Sequence, residues 1–76
     1  MRKGQLAALE LRKMRIDRGL SRHALGVQTG VAHGTIARLE QGDLPTERVA
    51  YQLASFFGMR PTQIWPELAE DREPAA

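Results

Sequence analysis

Apolar residues recur along this chain at helical spacing and nowhere alternate as a strand would. Residues 5–18 hold strong helix formers without Gly or Pro, and Leu11 and Met14, with Ala7 or Ala8 one turn earlier, mark one face. Gly19 supplies a stop, Leu20 follows as an apolar anchor, and Ser21 is a good N-cap. The spacing then predicts a second helix over 22–29, with Leu25 facing inward and Gly26 beside it. Gly30 breaks that helix and Val31 turns back to the core. A third helix over 33–40 carries Ile36 and Leu39 at i, i+3, and Gly42 is placed to end it. Asp43-Leu44-Pro45 is turn chemistry, and Thr46 caps a fourth helix at about 47–57 with Ala50, Leu53, Ala54 and Phe57 as its inner stripe. After Gly58 a fifth, shorter helix starts at Pro61 or Thr62 and carries Ile64 and Trp65, and Pro66 cuts it short or kinks it. The pattern predicts an all-α chain of five short helices.

Length narrows this further. With 76 residues the chain makes one small domain, and such a domain buries only about 60% of its unfolded surface. A basic arm at 1–4, a folded domain at 5–69 and an acidic, disordered tail at 70–76 are the expected divisions. The absence of cysteine excludes disulfides, thiolate catalysis and thiolate zinc sites. His23 and His33 are the two histidines, and neither sits in a metal-ligand spacing, so no metal or other cofactor is expected. No apolar run approaches the ~20 residues that span a bilayer, and the N-terminus lacks a secretory apolar region, which points to a cytoplasmic protein with no membrane partner.

Charge changes the picture more than composition does. The net charge is +2, yet residues 1–39 carry eight Lys/Arg against two acids and residues 40–76 carry three against seven. The halves are therefore +6 and −4. A basic half beside an acidic half suits one surface to a polyanion. Chance clustering on solvated helix faces is the plainer reading of the same numbers.

The informative stretch is Leu20 to Gly42, two short helices joined by a tight turn at Gly30. That is the helix-turn-helix pattern, although other helical hairpins share part of it. The run Leu11-Arg12-Lys13-Met14-Arg15-Ile16-Asp17-Arg18-Gly19-Leu20-Ser21, then Leu25, Gly30-Val31, Thr35-Ile36-Ala37-Arg38-Leu39-Glu40 and Gly42, resembles the Cro/C1-type (XRE-like) helix-turn-helix domain of phage repressors and related bacterial regulators. Pro45, Leu53-Ala54, Phe57-Gly58-Met59 and Ile64 continue the resemblance, which covers about residues 9–66. It implies a compact, five-helix lambda-repressor-like domain and a sequence-specific regulator of transcription, most simply a repressor. Such a regulator works at the nucleoid of a bacterial or phage-infected cell.

The resemblance also assigns roles. An Arg at the position of Arg15 and a Glu at that of Glu40 commonly pair in the family, and a guanidinium fork holding a carboxylate would lock the third helix to the first. Two solvated surface charges are the alternative. With Ile36 and Leu39 inward, the third helix turns His33, Gly34, Thr35, Ala37 and Arg38 towards a major groove. Arg38 is the best base reader because Arg pairs bidentately with guanine, and a phosphate-only arginine is the competing reading. Ser21, Arg22 and Gln41 are placed for phosphates at helix ends, with Arg2 and Lys3 as an arm. Gly34 stands where the family often has a base-contacting polar residue, Gly26 where it usually has Ala, and Asp43 would repel phosphates.

One such helix reads only about 4–5 base pairs, so regulators of this kind bind as homodimers to half-sites about 34 Å apart. Met59, Ile64, Trp65 and Leu68 are the candidate dimer surface, with Trp65 folded over its own core as the alternative. A double-stranded operator and a second copy are thus the expected partners, with no small-molecule ligand. The competing class is a protein-interaction module, such as an antitoxin using its acidic C-terminal half. An enzyme is not expected, since Glu40, Asp43 and Glu47 are accounted for by packing and caps.

Overall fold

A computed structural model describes residues 4–71 and shows six helices in them, with no strand: α1 (Gln5–Asp17), α2 (Arg22–Thr29), α3 (His33–Leu39), α4 (Glu47–Phe56), α5 (Pro61–Ile64) and α6 (Glu67–Asp71). Arg2, Lys3 and residues 72–76, assigned above to the arm and the tail, lie outside the described residues. No helix among the described residues is long and apolar enough to cross a membrane.

The sixth helix corrects the expected five, and Pro66 is the reason. It has no N–H to donate and its ring disfavours helical backbone in the residue before it. Trp65 accordingly leaves the helix at φ −120°, ψ 81°, although its own N–H still reaches the Pro61 carbonyl at 2.8 Å. The chain then winds again, with the Leu68 and Ala69 N–H groups donating to the carbonyls of Trp65 and Pro66 at 3.0 Å each. Two short helices replace the kinked one.

Caps fix the other boundaries. The Ser21 hydroxyl oxygen accepts from the Ala24 N–H at 3.0 Å, and the Thr46 hydroxyl oxygen accepts from the Val49 N–H at 3.2 Å. Each satisfies one of the donors a helix start leaves open. α2 packs on α3 and α4, α4 on α5, and α5 on α1 and α6. Leu11, Leu25, Ile36, Leu53 and Trp65 are the largest side chains fully enclosed between them.

That core takes in most of the expected dimer surface. Ile64, Trp65 and Leu68 are buried, and Met59 is partly buried against the same cluster. The break at Pro66 is what turns Trp65 inward, so these side chains have little left to offer a second copy. Trp65 was legible as an apolar residue near the end of the chain, but its direction depended on that break.

Gly26 is a close-approach residue. A Cβ built there would stand 2.5 Å from the Val31 carbonyl oxygen, on the backbone that leads into α3. Replacing Gly by Ala inside a helix normally stabilises by up to about 1 kcal/mol. Here Gly26→Ala is expected to destabilise by about 1–3 kcal/mol, because the backbone of the turn must shift. A thermal melt checks the sign, and a higher melting temperature in the variant would show that the turn yields.

Candidate nucleic-acid interface

The interface is built on the turn between α2 and α3. Gly30 takes the left-handed conformation at φ 79° and ends α2, with its N–H on the Gly26 carbonyl at 2.8 Å. The Thr29 hydroxyl donates to the Leu25 carbonyl at 2.8 Å, and its oxygen accepts from the Val31 N–H at 3.3 Å. Val31 is thereby turned into the core. Two residues later α3 begins, with Ile36 and Leu39 buried beneath it. Both helices are held by their undersides, which leaves their other faces to solvent.

On that outer side His33, Gly34 and Arg38 are exposed, Thr35 and Ala37 are half-exposed, and Gln41 is exposed just past the helix end. Ser21 and Arg22 are exposed at the start of α2. Thr35 and Arg38 share a shallow groove with Asp43 and Thr46, so an acidic residue lies beside the arginine expected to read a base. Among the described residues, the expected contact residues are thus exposed or half-exposed along α2, α3 and the ends of these helices.

Beneath them lies a buried carboxylate. The Glu40 side chain is 1% exposed, and it accepts from Arg15 Nε at 2.6 Å, Arg15 Nη2 at 3.1 Å and Arg22 Nε at 3.1 Å. Arg15 also donates from Nη1 to the Leu20 carbonyl at 2.8 Å. One guanidinium thus fastens α1 both to the α1–α2 loop and to the end of α3. Burial pushes the Glu40 carboxyl upward, but the hydrogen bonds from Arg15 and then Arg22, with their charges, outweigh it and hold the carboxyl below its ordinary range. The hydrogen bond and charge of Glu40, against the opposing cost of burial, raise the Arg15 guanidinium in turn.

Two features of the site escaped the sequence. Arg22, read as a phosphate contact, also pairs with Glu40, although 48% of its side chain stays exposed. It uses one of five N–H donors there, leaving the rest of the fork for another acceptor. His23 also joins the site: its ring meets His33 edge-on at 5.8 Å between centroids. The two imidazoles and Gly26, Val27 and Ala32 line one shallow depression across the turn. Ten positions apart, the two histidines share no local spacing that would have linked them; the crossing of α2 and α3 does so.

A family model described as a helix-turn-helix domain matches residues 6–64. Those residues run from the first turn of α1 to the end of α5. Comparisons with curated proteins and with solved structures found no match.

Glu40→Gln removes the charge that two guanidiniums share and is expected to cost about 3–5 kcal/mol, as for a broken buried pair. Arg22→Ala, at the exposed end of the same cluster, is expected to cost less than about 1 kcal/mol. Because folding lowers the Glu40 pKa, its contribution is complete above the unfolded value of about 4.3 and is lost as pH falls through the folded one. Melting temperature against pH should therefore fall at the acid end in the wild type and fall less in Glu40→Gln. A variant melting within a degree or two of wild type would show that the pair does not hold the fold.

Proposed function

The chain belongs to the helix-turn-helix domain family, and from that premise we propose that it is a sequence-specific regulator of transcription that binds double-stranded DNA with α3 in the major groove. The observation that carries the reading is the one-sided build of α3: Ile36 and Leu39 are sealed in the core while His33, Gly34 and Arg38 face out from a helix tied down by Arg15 and Glu40. A major groove about 12 Å wide admits such a helix. Arg38 reads guanine bidentately, His33 and Thr35 supply hydrogen bonds, Ala37 offers a methyl contact, and Gly34 lets the backbone approach closely.

Phosphate contacts flank this reader. The free amides and partial positive charge at the start of α2, the Ser21 hydroxyl and the exposed part of Arg22 suit one phosphate, and Gln41 suits another. Arg2 and Lys3 add a basic arm. The resemblance to Cro/C1-type, XRE-like regulators supports a repressor that acts by occupying an operator in the cytoplasm, as a homodimer on an inverted repeat. It performs no chemistry on the DNA, and Glu40, the most enclosed carboxylate of the site, is committed to two arginines.

Selection of bound sequences from random duplex DNA tests the reading directly. We expect an inverted repeat with half-site centres about 34 Å apart, and an affinity that falls about 10³–10⁵-fold between 50 and 200 mM salt. Arg38→Ala should lose about 1–3 kcal/mol and relax the preference at one base pair per half-site. Enrichment of no sequence above background would overturn sequence-specific binding and move attention to a protein partner of the acidic C-terminal half.

A further inference from the structure

Helix α1 carries apolar side chains on two opposite faces. Ala7, Ala8 and Leu11 are buried against the core, as one face of a surface helix should be. Leu6, Leu9 and Ile16 lie on the other side, 74%, 57% and 52% exposed. With Lys13 they occupy positions 6, 9, 13 and 16, the alternating spacing of three and four that makes the a and d seam of a coiled coil. Arg12 flanks this seam on one side and Glu10 and Asp17 flank it on the other. Leu9, Arg12, Lys13, Ile16 and Asp17 line a shallow groove along it.

We propose that this outer face of α1 is the contact between two copies of the chain, paired in parallel about a two-fold axis. Charge selects both the occupant and the direction. In a parallel pair the flanking positions meet crosswise, so Arg12 of each copy faces Asp17 of the other, twice over. In an antiparallel pair Glu10 meets Glu10 and Arg12 meets Arg12. Lys13 is the one charged residue within the seam, and a single lysine there sets register while weakening the pair. The seam is less than two heptads long, so the interface falls at the small end of stable contacts, below about 1,200 Å². Association is therefore weak in free solution and strengthened when two half-sites hold the copies side by side.

The inference supplies the contact for the homodimer proposed above and rests on that reading only for its role on DNA. The chain has no cysteine, so single substitutions report the geometry. In glutathione buffer the purified Ile16→Cys variant should form a disulfide-linked dimer well above a Tyr51→Cys control, whose site is similarly exposed on α4. Linkage only between Leu6→Cys and Ile16→Cys would mean an antiparallel pair and overturn the proposal, as would no linkage above the control, which would leave the stripe to a different protein.

Sedimentation gives the independent arm. Lys13→Leu should tighten self-association about tenfold or more. Leu9→Glu with Ile16→Glu should weaken it by a similar factor while keeping the melting temperature and the affinity for a single half-site. A double variant that dimerises on a full inverted repeat like wild type overturns the contact. Linkage through Ile16→Cys in a chain that binds no duplex DNA would support the contact and refute the DNA reading instead.

Discussion

The Glu40 carboxylate is the point on which the rest of the arrangement depends. It lies at the end of α3, is almost fully enclosed, and is reached by arginines from α1 and α2. A lone carboxylate in that position would cost several kcal/mol in lost hydration. Arg15 offsets this with two parallel hydrogen bonds, the geometry a planar guanidinium allows and a lysine does not. Because the partners come from two other helices, α1 and α2, satisfying the charge and tying down the end of α3 are one event. The apolar core, through Ile36 and Leu39, sets which face of α3 is turned out, whereas the ion pair ties the end of α3 to α1 and α2.

The fold was legible to the extent that local rules decide it. Ser21, Gly30 and Thr46 announce helix boundaries through caps and a left-handed turn, and the structure ends α2 and starts α4 where those residues stand. The alternation of buried and exposed positions in α3 follows from 3.6-residue periodicity alone. The C-terminal part was legible only in half. Pro66 marked a disruption, but neither the restart of a helix at Glu67 nor the full enclosure of Trp65 can be read from the neighbouring residues. The expected surface of Ile64, Trp65 and Leu68 failed for this reason: an apolar residue near a chain end reads the same whether it covers its own core or another protein's.

The candidate site divides along similar lines. Residues on one helix face were identifiable from spacing, because a helix presents them together wherever it packs. Pairings across helices were not. That Arg22 shares Glu40 with Arg15, and that His23 meets His33, both follow from the crossing of α2 and α3. Gly26 has the same origin. Nothing in its neighbours predicts that the Val31 carbonyl stands where a methyl group would go, yet that approach brings α2 close enough for Arg22 and His23 to reach the end and the start of α3.

On the proposed reading of α3 as the helix that enters the groove, a helix held this firmly has limited room to adapt. The turn is closed by Gly26 and Gly30, the end of α3 by Glu40 and its underside by Ile36 and Leu39, so discrimination among DNA sequences falls to the few side chains that protrude. Within α3 itself Gly34 would bring no side chain and Ala37 a single methyl group, which leaves Arg38 as the residue of that helix suited to a bidentate base contact worth about 1–3 kcal/mol. A genome offers about 10⁶–10⁹ competing sites, which calls for more discrimination than one such contact supplies. Within the DNA-binding reading, two copies per site are therefore demanded by the sparseness of α3 itself. Of the large apolar side chains left exposed, Val27 and Tyr51 stand singly on α2 and α4 while Leu6, Leu9 and Ile16 share one face of α1, so the α1 stripe is the surface proposed to join them, Ile64, Trp65 and Leu68 being already spent on the core.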